Sequence, residues 1–220
     1  TGPIQGFTVQ NIGIVRDPGA VDAPWAPGYW LIYSRGDDIF GSSDGFNFVY
    51  RTASGDFDAM LRIRQIGPKN QWTRGGLMAR ENVSPGSRNL MVGTYPAGTG
   101  LWGTSWRSSS NGTTSAVLAS RTDDFPTNAW VRLKRVGSAF LSYYSIVGCA
   151  STEWSLLASN HLDLPEGLLL GMASSAIDVS GGDSSPARFQ YSDLSHYAPV
   201  GPPLWITLHG AEALIRWPTN

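Results

Sequence analysis

Short apolar and aromatic runs alternate with clusters of Gly, Pro, Asn and Ser along most of this chain, most clearly between residues 45 and 107, and no window holds a helical period. A period of two in the apolar positions is what a half-buried strand writes into a sequence, because successive side chains point to opposite faces. The run FDAMLRIR puts Phe57, Ala59, Leu61 and Ile63 on one face and Asp58, Met60, Arg62 and Arg64 on the other. One face packs, and the other is free to meet something. The same reading predicts strands near residues 7–15, 29–35, 45–51, 57–66, 76–81, 88–95, 100–107, 114–120, 129–136, 139–147, 153–159, 167–174 and 187–197. These are too many for one small sheet, whereas two packed sheets give every strand an inward face on a shared core. The expectation is an all-β, two-sheet antiparallel β-sandwich. No segment offers a convincing helix, the nearest candidates being turns around Asp123 to Asn128.

The tail breaks the pattern. APVGPP at residues 198–203 reads as a Pro-rich linker, and LWITLHGAEALIRWPTN then starts a new alternation with room for two short strands. So small a piece buries too little surface to fold alone. The expected organisation is a sandwich module over 1–197, a linker over 198–203 and the truncated start of a second β module over 204–220, within a multidomain protein.

Composition narrows the partners. Charged residues are 15% of the chain, with 26 Gly and 14 Pro, against roughly 25% charged in an average soluble protein. The surface is therefore covered largely by Ser, Thr, Asn and Gln, as is common in secreted bacterial proteins. A net charge of −1 gives no basic footprint for nucleic acid or anionic lipid. Cys149 is the only cysteine, so an intramolecular disulfide and a Cys-based metal site are both excluded; it reads as a small loop or core residue. No apolar run approaches the roughly 20 residues of a bilayer span, and TGPIQGFTVQ has no signal-peptide pattern. An extracellular or cell-surface bacterial location would place any signal upstream of residue 1.

The blocks GSSDGFNFVYRTASGDFDAMLRI, WTRGGLMARENVSPGSRNLMV, WVRLKRVGSAFLSYYS and WSLL, in that order over roughly residues 36–197, resemble the concanavalin A-like jelly-roll modules of large secreted bacterial proteins, relatives of the family named after regulation of enolase protein 1. The resemblance implies a curved jelly-roll sandwich whose concave sheet often takes a glycan, with a structural Ca²⁺ in some members. The superfamily spans binding modules, lectins, hydrolases and lyases, so fold alone does not fix function.

The residues add candidates. Trp102 and Trp106 in GLWGTSWR share a strand face with Thr104 between them, about 13 Å apart. They either stack on sugar rings or form the core side of their strand. Trp72 sits in the turn-rich loop PKNQWTRGG beside Arg74, where it forms a groove lip or covers a sandwich edge. The basic residues are 14 Arg and 2 Lys, many within strands: Arg62, Arg64, Arg80, Arg88, Arg107, Arg132, Lys134 and Arg135. Several on one face would offer planar forks to carboxylate or sulfate; otherwise they form a solvated outer sheet. Trp102, Trp106, Arg107, Trp72, Arg74 and Arg80 are thus the candidate glycan contacts. Asp37, Asp38 and Asp44 in GDDIFGSSDGF are candidate oxygen ligands for Ca²⁺, against the ordinary role of turn aspartates in capping backbone N–H groups.

Catalytic signatures are weak. Glycoside hydrolysis needs two carboxyl groups roughly 5 to 10 Å apart across the sugar ring. The four glutamates, Glu81, Glu153, Glu166 and Glu212, are dispersed, and His161, His196 and His209 have no recognisable partner. There is no GxSxG elbow and no HExxH helix. The sequence favours a non-catalytic carbohydrate-binding module that holds a neutral or acidic polysaccharide on a shallow aromatic and Arg-lined face, accessory to neighbouring domains. The alternatives are a structural or adhesive spacer without a glycan ligand, and a polysaccharide hydrolase or lyase.

Overall fold

The computed structural model describes residues 6–16, 20–22, 28–67, 69–96, 100–120, 129–148, 152–177, 185–196, 205–209 and 212–216, in the last two segments for the backbone alone. In chain order the strands are β1 (Thr8–Ile12), β2 (Val21–Asp22), β3 (Tyr29–Ser34), β4 (Phe46–Ser54), β5 (Phe57–Ile66), β6 (Arg74–Arg80), β7 (Asn89–Thr94), β8 (Leu101–Arg107), β9 (Ser115–Ser120), β10 (Ala129–Val136), β11 (Ala139–Ser145), β12 (Ser155–His161), β13 (Gly167–Ser175), β14 (Ala187–His196), β15 (Trp205–His209) and β16 (Glu212–Arg216). No helix occurs among the described residues.

Two seven-stranded antiparallel sheets form a jelly-roll sandwich. The first runs β1-β4-β13-β6-β7-β8-β9 and the second β12-β11-β10-β5-β14-β3-β2. β15 and β16 pair with each other as a separate two-stranded sheet. The expected Pro-rich linker, the turns at Asp123 to Asn128 and Cys149 lie outside the described residues.

The period of two does what it predicts in β5, whose residues alternate between buried and half-buried from Phe57 to Arg64. Leu61 and Ile63 turn inward to meet Leu77, Val92, Trp102 and Met172 of the first sheet. In β6 and β7 the alternation vanishes, because every residue is buried. The reason is a second apolar cluster on the outer face of the first sheet, where Ile12, Ile39, Phe46, Phe48, Met78, Met91 and Ala173 pack together. Strands buried on both faces lose their polar side and read as continuous apolar runs. Ile39 comes from the connection between β3 and β4, so residues 35–45 lie as a strap over part of that outer face.

Candidate functional site

The strap is tied down by one carboxylate. Cross-strand register sets Arg80, Asn89 and Arg107 in a row on the outer faces of β6, β7 and β8, and Asp44 sits over all three. Its Oδ1 accepts from Arg107 Nη2 (2.6 Å), and its Oδ2 from Arg107 Nη1 (2.9 Å), Arg80 Nη1 (3.0 Å) and Asn89 Nδ2 (3.2 Å). Both guanidiniums are fully buried. Carbonyl oxygens complete their shells: Arg80 donates to Asn82 and Ser84, and Arg107 to Gly41, Pro85, Ser87 and Gly112. Two buried cations against one anion would be untenable without this ring of acceptors. Burial still pulls the Arg80 guanidinium below its usual value, with the charge of Asp44 opposing it.

The strap's other end is held at Arg74, whose Nη2 pairs with Asp38 Oδ1 at 3.1 Å and whose Nε and Nη1 donate to the carbonyls of Trp72 and Ile39. Desolvation pushes the Asp38 carboxyl above the ordinary aspartate value of 3.8, outweighing Arg74 and the Ile39 N–H. A raised native pKa means that the stability from this group is whole below 3.8 and is lost as pH rises through the native value. Asp38→Asn, which fixes the uncharged form, is therefore expected to gain in melting temperature relative to the parent from about pH 3 to about pH 7. A gain for the parent over that interval would show that Arg74 dominates instead.

Beyond the strap, the outer face opens into a trough. Gly76, Gly93 and Gly103 are cross-strand neighbours on β6, β7 and β8, so its floor is backbone at Gly93, while the side chains of Tyr95 and Leu118 lie over Gly103. A Cβ at Gly93 would strike the Gly75 carbonyl at 2.4 Å, which keeps the floor bare. Arg74 and Tyr95 line one side, Met91 and Ser105 the other. The trough is shallow and continuous with solvent. Arg74 Cζ lies 5.5 Å from the Tyr95 ring centre and 5.7 Å from that of Phe40. Trp72, 41% exposed, stands edge-on to Tyr95 at 6.0 Å. Burial pushes the Tyr95 phenol above its usual value, so it remains a hydroxyl. Ser105, 7% exposed, places its hydroxyl side chain in the wall.

The predicted contacts separate accordingly. Arg74 lines this trough, and Trp72 stands beside it, edge-on to Tyr95. Trp102 does not: it is 1% exposed, turned into the core, and stacked on Tyr144 of the opposite sheet at 4.8 Å. Thr104, on the same face, shares a hydrogen bond with Ser142 Oγ across the core. Trp106 follows the same parity and packs half-buried against that core. Arg80 and Arg107 are the buried partners of Asp44, not surface forks. Asp37, Asp38 and Asp44, the candidate Ca²⁺ ligands, each meet an arginine of the chain: Arg16, Arg74, and the Arg80 and Arg107 pair, respectively. Among the described residues no three His, Cys, Asp or Glu side chains gather at one point. Of the strand arginines, Arg132 grips Asp58 with two bonds of 2.6 Å and Arg135 clamps the carbonyls of Gly137, Leu164, Pro165 and Glu166. The residues missed by pattern reading are Tyr95, Ser105 and the glycine floor.

No family model matches the chain, and no curated protein matches it. Solved structures match its fold. A functionally unknown protein from Saccharomyces cerevisiae aligns with a TM-score of 0.67 at 15% identity, covering 91% of this chain and 100% of that one. The carbohydrate-binding module CBM66 from Bacillus subtilis aligns at 0.54 and 14%, covering 86% and 95%. A legume lectin-like domain from Entamoeba histolytica aligns at 0.55 and 11%, covering 90% and 91%. The chain thus has the jelly-roll sandwich fold shared by carbohydrate-binding and lectin-like domains. At these identities the likeness is one of fold.

Proposed function

We propose that this chain is a non-catalytic carbohydrate-binding module, accessory to other domains of a secreted bacterial protein, and that it holds a polysaccharide in the trough over Gly93. The exposed Trp72 ring carries the reading, standing edge-on to Tyr95 beside the trough that Tyr95, Arg74 and Ser105 line. Around it are the groups a sugar uses. Trp72 offers an exposed ring beside Tyr95, suited to the apolar face of a pyranose. Three donors of Arg74 are held by Trp72, Ile39 and Asp38, which leaves one N–H on each terminal nitrogen for hydroxyl or carboxylate oxygens. The fold class, in which a binding module and a lectin-like domain are both represented, agrees with this use.

Affinity electrophoresis through gels containing arabinoxylan, mixed-linkage β-glucan, polygalacturonate or alginate tests it. Retardation is expected in at least one gel. Trp72→Ala is expected to weaken it by at least about tenfold, as loss of an aromatic anchor does, while the melting temperature moves by no more than about 3 °C. Unretarded migration in every gel would reject the reading and favour a spacer module.

A further inference from the structure

The rim of the trough continues onto the strap, and from this we infer that the site is built for an uncharged glycan, with Asp38 as the residue that selects hydroxyl groups over acidic ones. The inference rests on the trough being the glycan site.

Arg74 joins the trough to the strap. Its guanidinium packs against the rings of Tyr95 and Phe40, with Cζ 5.5 Å and 5.7 Å from their centres, and Trp72 meets Tyr95 edge-on at 6.0 Å. Phe40 is 41% exposed, as is Trp72, so each offers an apolar ring to a ligand near the guanidinium. Asp38, two residues before Phe40, pairs with Arg74 Nη2 at 3.1 Å.

Exposure decides which member of that pair a ligand meets. The Asp38 side chain is 37% exposed and that of Arg74 9%, so the pair turns its negative member outward. The Ile39 N–H (2.6 Å) and Arg74 Nη2 (3.1 Å) both contact Asp38 Oδ1, which leaves Oδ2 for a donor on the ligand. The carboxylate is also held in place. Asp38 and Gly45 exchange backbone hydrogen bonds, and Asp44, next to Gly45, is locked onto Arg80 and Arg107. An acceptor fixed in advance needs little ordering on binding.

A sugar hydroxyl both donates and accepts. Adjacent hydroxyls can therefore donate to Asp38 and accept from Arg74 while the apolar face of the ring rests on Trp72 or Phe40. An ionised uronate or sulfate group has only acceptor oxygens, and it carries the same sign of charge as Asp38. It gives the carboxylate no proton to accept and is repelled by it. Arg74 does not reverse this, because its charge is already matched by Asp38. The neighbouring Asp37 adds no attraction either, being paired with Arg16.

Electrophoresis through the four gels named above tests the inference when the neutral polysaccharides, arabinoxylan and mixed-linkage β-glucan, are read apart from the acidic ones, polygalacturonate and alginate. The parent is expected to be retarded in a neutral gel and in neither acidic gel. Asp38→Asn puts an amide donor where the carboxylate accepted, and it should weaken retardation in the neutral gel by at least about tenfold, the loss that follows from one hydrogen bond to a charged group. Its melting temperature should not fall, since burial already favours the uncharged form of Asp38, so lost binding is separable from unfolding. Retardation of the parent in an acidic gel as strong as in the neutral ones would overturn the inference while leaving glycan binding intact. So would undiminished neutral retardation of Asp38→Asn. Unretarded migration of the parent in every gel would remove both readings.

Discussion

Asp44→Ala is expected to destabilise the domain by about 3–5 kcal/mol, the range seen when one member of a buried ion pair is removed. The size follows from what the substitution leaves behind. Arg80 and Arg107 stay fully buried with their carbonyl partners but without the carboxylate that pairs with both. Asn89 also loses its acceptor. The strap then has no anchor at this end, so Ile39 no longer shields Met78, Met91 and Phe48. The midpoint and slope of urea denaturation would report this. Asp44→Asn provides the milder comparison: it keeps the volume, removes the charge, and is expected to lose most of the same stability. A change under about 1 kcal/mol for both variants would mean that the carbonyl ring alone satisfies the two arginines and that Asp44 is dispensable.

The sandwich was legible in the sequence because its signal is local. Alternation in FDAMLRIR and the spacing of turn residues report strand after strand without knowledge of their partners. The trough was half legible. Trp72 and Arg74 are two residues apart and were read together from one loop. Tyr95, Ser105 and the glycine floor come from β7 and β8, and they meet only once register is set. The role of Asp44 was out of reach for the same reason: its partners lie 36, 45 and 63 residues away. A lone aspartate between glycines and serines looks like a turn cap or a metal ligand, since nothing nearby announces an arginine. One signal was available in retrospect. Arginines that close apolar strands, as in GGLMAR and LWGTSWR, sit where both faces are buried, and a buried guanidinium requires acceptors from elsewhere in the chain, a carboxylate or a ring of carbonyls.

Parity within a strand decides the remaining ambiguity, and it sets the second large effect. Trp102 and Trp106 share a face, and LWGTSWR by itself does not say whether Trp102, Thr104 and Trp106 or Leu101, Gly103 and Ser105 point inward. The structure selects the core reading: the small residues mark the trough floor and wall, and the large ones fill the core. Trp102→Ala is accordingly expected to remove about 3–5 kcal/mol, the usual range for deleting a buried Trp or Phe side chain. For a domain of this size that lowers the melting temperature by roughly 6–20 °C. The loss combines transfer of the indole from the core with a cavity against Tyr144, whose stacking partner disappears. Trp106→Ala should lose less, because part of its surface already meets water. Glycan retention by the folded fraction of either variant should match that of the parent, since neither ring lines the trough. Trp72→Ala is the mirror image, with retention lost and stability kept. If Trp102→Ala instead abolished retention while leaving the denaturation midpoint unchanged, the ligand would be meeting the inter-sheet side of β8, and the trough over Gly93 would not be its site.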